Sequence, residues 1–250
     1  MPTRFDLGVV VLVVVASILE HLFFWPRFHA DVAAERPGVR PWAYRCIMIA
    51  EGALTLMAIA IWNQQGRPWR VMGFSIPNGW RSGVAIAFVV AAFALLVIQI
   101  RSVLRLSVAR RIAARPQLGS TVTMLPRTRA EETWFFLLSL TAGFCEELLY
   151  RGYLVWFFAP FIGYTAAMAL MVVFFGIGHG YQGREGAIRA TLFGAVMAAL
   201  VMLSGSIIPA MIVHALVDIG SGAVGYLLLR DQAGTDAPGP IALGNMRVAS

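Results

Sequence analysis

Seven apolar runs follow one another along this chain, covering residues 7–25, 42–62, 80–100, 133–158, 164–178, 187–203 and 207–229. Short polar segments rich in arginine, glycine and proline separate them. A membrane-crossing helix needs about 20 apolar residues, and no soluble domain has use for so many such runs. Of the 250 residues, 59% are hydrophobic and 13% charged, with a mean hydropathy of +0.74. The expected fold is therefore all-α, a polytopic transmembrane helical bundle of about seven or eight spans. Three segments are expected: N-terminal helices with a basic surface segment (1–130), a helical core (131–229) and a disordered Gly- and Pro-rich tail (230–250).

The net charge of +7 comes from arginine alone, since no lysine occurs. Most of the arginines lie between spans or at their ends, where the positive-inside rule accounts for them. A nucleic-acid partner is not expected; the expected partner is the lipid bilayer. Seven arginines (Arg101, Arg105, Arg110, Arg111, Arg115, Arg127 and Arg129) put the segment after the third span on the cytoplasmic side. The N-terminus then faces outward, and the loop holding Arg184 faces the cytoplasm. The composition points to a multi-pass protein of a bacterial cytoplasmic membrane. Residues 101–115 read either as a helix lying on the membrane surface or as an extension of the third span. Cys46 and Cys145 imply no disulfide framework, and Cys145 reads as a small buried residue rather than a nucleophile.

The fourth run carries charges at its centre. Glu146, Glu147 and Arg151 lie between Gly143 and Gly152. Each charge at mid-membrane costs about 2.5–3.5 kcal/mol on insertion scales, so such residues usually mark function. Successive helical residues turn by about 100°, so Glu146 and Glu147 face different ways. Glu147 and Arg151 are four apart and predict an ion pair. Glu146 has no local partner and must face polar groups from elsewhere. The run of 26 residues would be roughly 39 Å long as straight helix. That exceeds a hydrocarbon core of about 30 Å, and Gly143 and Gly152 are the expected break points. Glu131 and Glu132, at its start, suit a helix N-terminus.

Glu51 is a second carboxylate in mid-span. It could support the main site, relay protons, or be hydrogen-bonded within the bundle. Glu20 and His21 read as an interfacial pair. Phe175 and His179 are four apart, as are His214 and Asp218, and each pair shares a helix face. Ser221, Gly222 and Gly225 suggest that the last run splits into two short helices.

Glu146-Glu147-x-x-x-Arg151, Phe175-x-x-x-His179 and His214-x-x-x-Asp218, in this order, resemble the three motifs of the CPBP intramembrane proteases. That family includes the CAAX prenyl endopeptidases of the Rce1 type, the Abi or bacteriocin-immunity proteins and the myxosortases. The resemblance covers about residues 131–219. Asp218 stands where the prenyl endopeptidases usually have Asn. The resemblance implies a helical bundle with an intramembrane polar cavity, and hydrolysis of a peptide bond in a membrane-associated protein or peptide. It implies that Glu146 and His179 activate water, that Glu147 and Arg151 orient the site, and that His214 and Asp218 stabilise the oxyanion. No cofactor is expected on this reading. The alternative is zinc held by Glu146, His179 and His214. Two other functions stay open: a non-catalytic immunity-type binding protein, and a proton-coupled transporter.

Overall fold

The computed structural model describes residues 1–230, and the expected tail, apart from Arg230, lies outside them. α1 (Arg4–Leu19) continues through a π-helical turn (Glu20–Phe24) into α2 (Trp25–Ala33) as one rod. α3 (Val39–Gln64) and α4 (Trp80–Leu104) follow, then the short α5 (Val108–Ala114). α6 (Arg129–Glu146) runs through a π-helical stretch (Glu147–Leu154) into α7 (Val155–Ile162). α8 (Tyr164–Gly178), α9 (Gly183–Ser204) and α10 (Ile208–Leu229) complete the bundle. Among the described residues, five stretches are long and apolar enough to cross a membrane. One of them, Tyr164–Ser204, is the hairpin of α8 and α9. With the charged α6–α7 rod this makes seven long rods, and the protein is an all-α integral membrane bundle.

The rods alternate up and down, and the contacts between their ends agree on which ends share a face. On one face, Ser120 donates to the Gln182 carbonyl, Tyr44 to the Met124 carbonyl, and Arg115 to the Leu228 carbonyl at 2.8 Å. On the other, the Ile207 amide donates to the Gly73 carbonyl at 2.9 Å, and Ser75 to Gly205. The arginine-rich segment thus shares a face with the α8–α9 turn, as the charge pattern predicts.

Several local expectations are changed by packing. The α6–α7 rod does not break at Gly143 or Gly152. A Cβ on Gly143 would lie 2.8 Å from the Ala215 amide nitrogen, and one on Gly152 would lie 2.9 Å from the Met72 side chain. These glycines admit neighbours. The rod instead continues through the π-helical stretch, where the backbone bonds reach one residue further along the chain. α10 likewise does not split, because Gly222 and Gly225 make room for Phe135 and Leu125. Residues 101–115 follow neither expectation whole: α4 runs on to Leu104, then Ser107 caps α5 by accepting from the Arg110 amide. Thr128 and Glu131 form a capping box at the start of α6, which is how Glu131 serves the helix end. Cys46 and Cys145 are both free, and Cys145 is buried.

A polar clamp ties the N-terminus to the bundle. Asp6 is fully buried. It accepts from both Arg67 Nη atoms at 2.6 and 2.7 Å, from the Tyr153 hydroxyl at 2.6 Å, and from the amide and hydroxyl of Thr3. The Arg67 guanidinium lies 4.3 Å over Trp156. Hydrogen bonds to Asp6 push the Arg67 pKa above its already high ordinary value. Hydrogen bonds to charged groups contribute about 1.5–3 kcal/mol each. Asp6→Asn keeps the size but loses the charge and is expected to lower stability by about that amount. Thermal unfolding of the purified protein checks this; an unchanged melting temperature would mean the clamp is not holding α1.

Candidate active site

α6, α8, α9 and α10 meet around a cavity of about 760 Å³. Glu146, His179, His214 and Asp218 all line it. Its wall also includes Gln117, Thr121 and Gln182, from the face that carries the arginine-rich segment. The structure brings the three motifs together from residues far apart in the chain.

Glu147 turns away from the cavity into the bundle, as the 100° rotation between neighbours demands. It is fully buried, and its Oε1 accepts from Arg151 Nη1 at 2.9 Å and from His214 Nδ1 at 2.8 Å. The i, i+4 pair expected from sequence is present and has a third member. Arg151 donates its other Nη to the Gly194 carbonyl at 3.3 Å and lies 4.3 Å over the Phe175 ring. A Cβ on Gly194 would lie 3.1 Å from that guanidinium, so glycine opens α9 to it.

Phe175 joins the two halves of the site. Its ring covers Arg151 on one side and lies 4.4 Å from the His179 ring. Its carbonyl oxygen is 2.8 Å from His179 Nδ1. A carbonyl only accepts, so Nδ1 carries the proton. His179 Nε2 is thereby left as a lone-pair acceptor in the neutral ring. Spacing alone puts Phe175 and His179 on one face; it does not reveal that the Phe175 backbone sets the tautomer.

His214 is buried, with Nδ1 donating to Glu147. Its Nε2 lies 3.5 Å from Asp218 Oδ2 and 3.8 Å from Glu146 Oε2. Glu146 Oε2 is buried without a hydrogen-bond partner among the described residues. Of the three side chains named for zinc, Glu146 Oε2 and His214 Nε2 lie 3.8 Å apart. Among the described residues no group of three His, Cys, Asp or Glu is arranged to hold a metal ion. Both His214 nitrogens are also turned toward carboxylates.

Two carboxylates outside the motifs join the cavity wall, Glu20 and Glu51. Glu20, where the π-helical turn begins, shares the α1 face of Val13, Ala16 and Ser17 and lines the same cavity as Glu146. His21 packs against Gly180 instead. Trp25 in α2 stacks on Tyr181 with ring centroids 3.4 Å apart, closing this side of the wall.

A carboxylate, an imidazole acceptor and a second imidazole thus share the wall of one cavity. Residues 129–220 match the family model described as type II CAAX prenyl endopeptidase Rce1-like. The match begins at the first residue of α6 and ends within α10, and it spans all three motifs. No curated protein and no solved structure matches the chain.

Proposed function

We propose, from the match of residues 129–220 to the Rce1-like family model, that this chain is a member of that family and an intramembrane endopeptidase. It would cut a peptide bond in a membrane-associated protein or peptide. The observation that carries this reading is the pairing, on one cavity, of an unpartnered Glu146 oxygen with a His179 whose Nδ1 is already committed. Water held between Glu146 and His179 Nε2 attacks the peptide carbonyl carbon. Glu146 takes a proton from that water as the new C–O bond forms. His214, held as a doubly protonated ring between Glu147 at Nδ1 and Asp218 at Nε2, donates from Nε2 to the developing oxyanion. The C–N bond then breaks, and Glu146 returns its proton to the leaving amine. Arg151 fixes Glu147, and Glu147 fixes the His214 ring. All the chemistry is supplied by side chains, with no cofactor.

The test is a comparison of membrane-protein termini in cells carrying wild type, Glu146→Gln or His179→Ala. A specific protein is expected to keep its uncut terminus in both variants while each variant accumulates normally. If both variants process every terminus as wild type does, the reading is wrong. If a deletion has a phenotype but leaves all termini unchanged, the chain works by binding or transport instead.

A further inference from the structure

We propose that α2 aims His179: Trp25 and His29 are positioning residues that fix the turn carrying His179 by gripping Tyr181. This rests on the assignment of His179 as a partner of the attacking water.

His179 stands at a weak point of the backbone. α8 ends at Gly178, and His179 opens a single 3₁₀ turn, His179–Gln182, which the chain leaves through Gly183 at φ 75°. Hydrogen-bond geometry in such a turn is poorer than in an α-helix. The contact of His179 Nδ1 with the Phe175 carbonyl ties the ring to the last turn of α8. The residues that follow must be held by packing. The His179 ring lies 5.9 Å from the Tyr181 ring, so a shift of one is felt by the other.

That packing comes from the N-terminal rod. Trp25 lies flat on Tyr181, with ring centroids 3.4 Å apart and planes 2° from parallel. His29 Nε2 is 3.2 Å from the Tyr181 carbonyl oxygen; a carbonyl only accepts, so His29 donates. His21 closes over Gly180, where a Cβ would lie 3.0 Å from His21 Cε1. His21, Trp25 and His29 recur every four residues and form one stripe along the rod. This stripe meets the two residues that follow His179. Trp25 is itself anchored, packed edge-on against the fully buried Phe28, in a cluster with Tyr44 of α3 and Leu138 of α6. Residues 129–220, which match the family model, contain His179 but none of these three gripping side chains. The N-terminal rod thus completes a site whose motifs lie elsewhere in the chain. Precision is worth having there, because misplacing a reacting group by about 1 Å can cost about 10²-fold in rate.

Trp25, Tyr181 and His179 all line the cavity, so direct contact of Trp25 with substrate is the competing explanation. Positioning lowers kcat, whereas loss of a substrate contact raises KM.

The test uses the full-length protein in detergent. Hydrogen exchange is read first, without substrate. Trp25→Ala and Tyr181→Ala should each raise exchange at residues 178–183 by about tenfold or more and leave the rest of the bundle unchanged. Unchanged exchange in both overturns the proposal. In cleavage assays each variant should lose about 10- to 100-fold in kcat at unchanged KM. The double variant should lose no more than the worse single one, since both substitutions remove the same contact. Trp25→Phe and Tyr181→Phe keep the stacked faces and should stay within about threefold of wild type. His29→Gln still offers an N–H and should do the same, while His29→Leu should fall below it. A raised KM with kcat retained, or additive losses in the double variant, would overturn the proposal. Trp25 lies in a buried cluster; if Trp25→Ala fails to accumulate, Tyr181→Ala reads the same contact from the other side. A wild type that cleaves no protein overturns the endopeptidase reading and the role of His179 with it. Raised exchange alone would then show that α2 holds the turn without serving catalysis.

Discussion

Glu147→Ala is expected to be the most destabilising single change in the site. Glu147 and Arg151 are both fully buried, and one carboxylate oxygen serves both Arg151 and His214. Removing one partner of a buried pair leaves the other charge unmatched, at a cost of about 3–5 kcal/mol. Domains are stable by only about 5–15 kcal/mol in all, so much of the folded population is at stake. The Arg151 guanidinium would keep only the Gly194 carbonyl and the Phe175 face. The expected result is a large fall in melting temperature and poor accumulation in the membrane. Replacing both partners, Glu147→Leu with Arg151→Met, should recover much of that loss, since no charge is then stranded. The recovered protein should remain inactive, because the His214 ring has lost the acceptor for Nδ1. Thermal unfolding and cleavage measured on the same preparations separate the two effects. A stable Glu147→Ala protein would show that the triad does not hold this part of the bundle.

Legible and hidden features divide by distance along the chain. Glu147 with Arg151, Phe175 with His179, and His214 with Asp218 are each four apart. Helix geometry alone puts such residues on one face, so the pairs are legible without a structure. The isolation of Glu146 is legible for the same reason, because it must look away from Glu147. The Asp6 clamp is not. Its partners Arg67 and Tyr153 lie 61 and 147 residues away, and no periodicity announces a contact of that kind. In sequence Asp6 is only a charge beside the first span, although it is one of the best-satisfied groups in the bundle. Glu20 shares a regular helical face with Val13, Ala16 and Ser17 on the cavity wall, but a carboxylate near the end of an apolar run looks the same in sequence whether it meets headgroups or a cavity. Glycines suggest breaks because a sequence shows what glycine permits in the backbone. It does not show which neighbour fills the space of the missing side chain. At Gly143 and Gly222 the neighbours are Ala215 and Phe135, and the helices continue.

The second large effect concerns His214 and separates it from Asp218. If His214 Nε2 supplies the hydrogen bond to the oxyanion, His214→Ala removes a donor made strong by its burial. Loss of one such donor costs about 10²–10³ in kcat. The effect should show in kcat with little change in KM, since the bond forms only as charge develops on the substrate oxygen. Stability should fall as well, because Glu147 then keeps only Arg151, so the comparison must be made on folded protein. On this reading Asp218 acts one step back. Its Oδ2 lies 3.5 Å from His214 Nε2, and a third of its side chain is exposed, at 34%. Asn in its place still offers an oxygen to orient the ring but no longer favours positive charge there. Asp218→Asn is therefore expected to stay within about tenfold of wild type, and Asp218→Leu to fall much closer to His214→Ala. The ranking matters more than any one value. Were Asp218→Asn as damaging as His214→Ala, the carboxylate itself would be doing chemistry at the substrate, and the oxyanion role would pass from His214 to a protonated Asp218. Were His214→Ala fully active, the oxyanion would have to be met by another donor on the cavity wall. The geometry, with His214 Nδ1 held by Glu147 at 2.8 Å and Nε2 left facing the cavity carboxylates, argues for the first order of events.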